Sequence, residues 1–92
     1  MFKKWLTNFS FYFNQGSSDS LRSKGQSIEQ SLDESANYFA NQYGIDTFSQ
    51  KGNFQKYWSL VQYSLTQKGM NHQDFSELTG LAMSFNEGNG WC

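Results

Sequence analysis

The chain contains no proline among its 92 residues. Proline is the strongest helix breaker, so its absence leaves helical stretches uninterrupted and fits an all-α chain. There is a single cysteine, Cys92 at the last position, which excludes an internal disulfide and says nothing about redox compartment. Charge is scarce as well. Asp, Glu, Lys and Arg supply 16% of residues, below the usual quarter or so, and seven basic against eight acidic side chains leave a net charge of −1. A general nucleic-acid binder draws on a basic excess to neutralise phosphates, so this balance argues against nucleic acid as the partner. No apolar run approaches the roughly 20 residues of a membrane-spanning helix. Met1-Phe2-Lys3-Lys4-Trp5-Leu6 has the positive charge of a secretory leader, but Thr7, Asn8 and Ser10 interrupt the apolar run that should follow. The expected setting is therefore cytoplasmic.

What the chain has in excess is aromatic side chains: nine Phe, five Tyr and three Trp, or 18% of residues. Each can bury a large area, so a few contacts can hold a small core together. That content argues against disorder despite a negative mean hydropathy. The length suits one domain, read here as a single helical domain over residues 1–92 with a Gly-rich tail at 86–92.

The strongest pattern runs from Asn53 to Phe85. Phe54, Trp58, Val61 and Leu65 recur at steps of three and four, as do Phe75, Leu78, Ala82 and Phe85, which puts each set on one helix face. Between them, Lys68 suits the negative end of a helix, Gly69 can take a left-handed closing conformation, and Met70 offers the apolar contact that often follows. Asn71 is a good N-cap, and Asp74 favours the positive end of the next helix. The spacing predicts a central αα-hairpin of about 53–68 and 71–87.

Upstream, Ile28, Leu32, Ala36, Phe39 and Tyr43 form a third stripe. Ser27 and Gln30 resemble a capping box, so this helix is expected to start near Ser27 and to stop at Gly44, with Ile45 packing back and a short turn around Phe48. Residues 2–15 fit two patterns. Phe2, Leu6, Phe9 and Phe13 have helical spacing, whereas Phe9, Phe11 and Phe13 alternate as in a strand; the longer match and the helical context favour helix. Gly16 ends the segment, and Ser17 or Ser18 could cap the next. The expected architecture is a small bundle of three to four helices.

Sites of chemistry are sparse. One His and one Cys, twenty positions apart, cannot supply the converging ligands of a zinc centre, and Cys92 follows too many glycines to be held against His72 as a nucleophile pair. Asp33 and Glu34 are sequence neighbours that point to different faces, and Asp74 with Glu77 read as helix-dipole complements. No Gly-rich phosphate loop is present. The expectation is a non-enzymatic protein with no cofactor and no metal. A helix-turn-helix over 53–87 would place Asn71, His72 and Gln73 at DNA, but Asp74 and Glu77 would face phosphate, and no Lys or Arg follows Asn71. Lys3 and Lys4 with the N-terminal aromatics allow membrane-surface contact, which two charges favour only weakly.

A core closed by the hairpin and the 27–43 helix uses up their apolar faces, which leaves Phe2, Trp5, Phe9, Phe13 and Trp91 as candidate partner-binding residues. The partner would be another protein or a second copy. The leading expectation is thus a non-enzymatic protein–protein interaction module, an inhibitor of a host complex included, and the alternative is a helix-turn-helix regulator that binds nucleic acid.

The run Ser27-Ile28-Glu29-Gln30-Ser31-Leu32-Asp33-Glu34-Ser35, continuing through Ala36-Asn37-Tyr38-Phe39 to Tyr43-Gly44-Ile45-Asp46, resembles the soluble C-terminal region of TraG-type conjugation proteins. The likeness spans roughly residues 19–85 and is compositional. It implies a mobile genetic element, with a part in mating-pair stabilisation or exclusion, and a periplasmic setting if the chain is a piece of such a protein. Family members also carry membrane spans, which have no counterpart here, and no site residue is carried over.

Overall fold

A computed structural model of the chain describes residues 2–44 and 52–89. Among them the chain forms five α-helices and no strand: α1 (Phe2–Gly16), α2 (Asp19–Arg22), α3 (Gly25–Tyr43), α4 (Asn53–Gln67) and α5 (His72–Asn89). The segment that also fitted a strand is therefore helical. The radius of gyration, 12.3 Å, is what a compact domain of this length should have.

The stop after α4 forms as its residues dictate. Gly69 has φ of 91°, open to glycine at little steric cost. The Met70 amide donates to the Leu65 carbonyl and the Gly69 amide to that of Thr66, both at 3.0 Å, which is the double closure of a Schellman motif. Met70 packs against the core as its hydrophobic contact. Asn71 Oδ1 then accepts from the Asp74 amide at 2.8 Å and caps α5. Ser18 caps α2 through the Leu21 amide, and Gly44, with φ of 84°, closes α3.

Two boundaries differ from the sequence reading. α3 begins at Gly25 rather than near Ser27, so Ser27 and Gln30 lie inside it. The reason is that the chain passes almost directly from α2 into α3, with the Lys24 amide bonded to Leu21 and the Ile28 amide to Lys24, which satisfies groups that a capping box would otherwise serve. α5 continues to Asn89, so residues 86–89 are helix and not tail; in a chain without proline, Gly88 alone does not stop it. Ile45, Asp46 and the turn around Phe48 lie outside the described residues.

The pairing of helices also differs. The expected central hairpin was α4 with α5, but the closest pair is α3 with α4, which run antiparallel. Small side chains explain it. Ser31 and Ser35, one turn apart on α3, are buried against α4, and the Ser31 and Ser64 hydroxyls meet at 2.9 Å. Where two backbones approach over serine, larger side chains at those positions would hold them apart. α4 and α5 approach less closely along their backbones, and large side chains, with Phe9 of α1 among them, fill the space between them.

That space is centred on Trp58. Its ring stacks on Phe54 (centroids 5.7 Å apart) and on Phe75 of α5 (5.9 Å), and meets Phe9 of α1 edge-on at 6.2 Å. Its indole N–H donates to Thr79 Oγ1 of α5 at 2.9 Å, so the one polar atom of the ring is satisfied. Phe9 also packs on Phe85 at 5.6 Å. The other expected core residues, Ile28, Leu32, Phe39, Val61, Leu65 and Leu78, are buried, while Phe75 is only half-buried.

Tyr57 is fully buried beside this cluster. Its hydroxyl donates to the Leu32 carbonyl of α3 at 2.9 Å, and its ring meets Phe39 edge-on. Burial first, and the Asp33 carboxylate second, push the phenol well above its ordinary value. In the unfolded chain Tyr57 ionises near pH 10 or so, whereas in the fold it stays neutral, so its contribution is intact below that pH and is lost as pH rises toward the folded value. Tyr57→Phe should cost about 1 kcal/mol at neutral pH through the lost hydrogen bond, and should destabilise less steeply than the wild type on going alkaline. Urea titrations of both proteins at neutral and alkaline pH check this; parallel losses in the two would show that Tyr57 is not the group responsible.

Candidate interaction surfaces

Phe9 and Phe13, expected to face a partner, are instead 0% and 1% exposed and belong to the core. The correction follows from how α4 and α5 meet: Trp58 joins them through Phe75 and Thr79, and Phe9 of α1 packs on the same ring, so the core takes one further helix face. Phe2 and Trp5 lie in the first turn of α1, their side chains outside those described, and Trp91 lies outside the described residues.

Exposed apolar side chains gather elsewhere, on the flanks of α3. On one flank, α1 and α3 border an open groove of about 510 Å3, with Leu6 and Phe11 on the α1 side and Glu29, Leu32 and Asp33 on the other. Phe11, 68% exposed, stands at its edge because α1 turns its Phe9–Phe13 face inward and Phe11 is half a turn away. On the other flank, α3 and α4 border a groove of about 470 Å3 with Tyr38, Leu60 and Tyr63 along it. Tyr63 is 68% exposed and Tyr38 54%. Lys68 bridges this groove by donating to Glu34 and to Ser64, at 3.0 and 3.1 Å.

Sequence reasoning missed both surfaces. Tyr38 and Tyr63 fall off the apolar stripes, and a tyrosine off the stripe carries no signal of a neighbour on another helix. The exposed member of the Phe9-Ser10-Phe11-Tyr12-Phe13 run was legible in principle, since a helical face holding Phe9 and Phe13 turns Phe11 outward.

The acidic residues of α5 have internal work. Glu77 accepts from both the Ser18 amide and the Ser18 hydroxyl at 2.8 Å. Asp74, 6% exposed, pairs with Lys24 and lies within reach of the Ser20 hydroxyl. Together they fasten α2 across the first two turns of α5. His72 is exposed at the start of that helix. Among the described residues no group of three His, Cys, Asp or Glu converges as metal ligands, and no helix is long and apolar enough to cross a membrane. No protein family, curated protein or solved structure matches the chain.

Proposed function

We propose that this chain is a small non-enzymatic protein–protein interaction module that docks through the flanks of α3. The observation that carries the reading is the grouping of Phe11, Tyr38 and Tyr63, all more than half exposed, along two grooves that share this helix. Single exposed apolar residues are ordinary, but aromatics clustered along open grooves are the usual material of an interface. Tyrosine in particular offers a large rigid contact at little entropic cost. Inhibition of a host complex would use the same surfaces. The resemblance to TraG-type conjugation proteins suggests seeking the partner among conjugation components. The helix-turn-helix alternative needs a free N-terminal part on α5, and there Asp74 and Glu77 are committed to α2 and its cap.

Placing a photo-crosslinking phenylalanine analogue at Phe11 and at Tyr63, one at a time, tests the reading in cells. A discrete protein adduct from at least one position is expected, and it should disappear when Tyr38 or Leu6 beside the probe is changed to Ser with the helical signal intact. Diffuse labelling from both positions would overturn the module reading.

A further inference from the structure

The two grooves differ in charge, and the difference selects a partner for one of them. Each described basic side chain outside the first turn of α1 is already engaged: Arg22 with Asp19, Lys24 with Asp74, Lys68 with Glu34, and Lys56 over the Tyr43 ring at 4.9 Å. The α3/α4 groove is thereby neutralised by its own Lys68–Glu34 pair. In the α1/α3 groove, Glu29 and Asp33 are exposed, one helical turn apart, and neither takes part in an ion pair among the described residues. The α1 side of the same groove carries the apolar side chains of Leu6 and Phe11 among the polar Thr7, Ser10, Asn14 and Gln15.

We propose that the α1/α3 groove binds a cationic amphipathic segment of a partner protein, its apolar side chains on Leu6 and Phe11 and its Lys or Arg side chains on Glu29 and Asp33. This rests on the interaction-module reading and gives the partner its chemistry. Carboxylates at i and i+4 repeat at about 6 Å, the spacing at which cations on one face of a helix recur. A helix laid in a groove reads out as apolar anchors on one face and charges beside them. Opposite charge at the rim then sets orientation and excludes acidic competitors.

The test uses the full chain and a labelled synthetic helix of about 18 residues with Leu on one face and Lys on the other, read by fluorescence anisotropy at low salt, where such charge pairs are least screened. A counterpart with Glu in place of Lys is the control. The Lys peptide should bind and the Glu peptide should not. The double change Glu29→Gln and Asp33→Asn, nearly isosteric and on the surface, should weaken binding about tenfold, two exposed pairs being removed. Phe11→Ser should weaken it as well, whereas Tyr63→Ser in the other groove should leave it unchanged. Absence of binding by the Lys peptide, equal binding of both peptides, or indifference to the Glu29/Asp33 change would each overturn the proposal. A discrete crosslinked partner in cells combined with any of those results leaves the module reading standing and removes only its cationic partner.

Discussion

Trp58→Ala is expected to lower stability by about 3–5 kcal/mol, a large share of the 5–15 kcal/mol or so that holds a domain of this size. The ring touches Phe54 on its own helix, Phe9 on α1, and Phe75 and Thr79 on α5. Removing it opens a cavity where three helices meet, and leaves the Thr79 hydroxyl with only its bond to the Phe75 carbonyl. Phe75→Ala, at a half-buried position, should cost less, roughly 2 kcal/mol. Chemical denaturation followed by circular dichroism gives both values. A small shift for Trp58→Ala would mean that the junction of α1, α4 and α5 is not where the core is held.

Phe9→Ala should have an effect of the same order, about 3–5 kcal/mol. Its side chain is fully buried, edge-on to Trp58 and tilted against Phe85. The result decides between two roles for α1. As a core helix, α1 loses its anchor and the midpoint of unfolding falls sharply. As a helix held for a partner, it would tolerate the change with the midpoint in place and lose only association. Phe11→Ala, two residues on and exposed, should leave the midpoint within about 0.5 kcal/mol and serves as the internal comparison.

The parts legible in the sequence are those that depend on local chemistry. The three- and four-residue steps from Phe54 to Leu65 and from Phe75 to Phe85 mark real helices, and Gly69, Met70 and Asn71 perform the closing and capping roles that their side chains allow. Periodicity says which face is apolar, but not which face it meets. The pairing of α3 with α4 buries Ser31 and Ser35 and joins the Ser31 and Ser64 hydroxyls, and serines in a polar-looking run give no sign that they face another helix. The assignment of Phe9 and Phe13 to a partner failed for a related reason. It assumed that α4 and α5 with α3 complete the core, whereas Trp58 between them also takes Phe9 of α1 as a neighbour, and a fourth helix face is buried. The fastening of α2 by Asp74 and Glu77 joins residues 54 and 59 positions apart, beyond any local pattern. The grooves beside α3 follow from these pairings, and were hidden with them.

The α3–α4 and α1–α5 contacts also ask different things of the chain. Ser31 and Ser64, which join α3 to α4, are 33 residues apart, whereas Tyr12 and Ser84, which join α1 to α5, are 72 apart. Closing the longer loop costs only about 0.7 kcal/mol more in chain entropy, since that cost grows with the logarithm of loop length. A single buried ring contributes more than this difference. The lasting hold of the N-terminal helix is therefore governed by what Phe9 and Phe13 bury, and hardly at all by how far along the chain their neighbours lie.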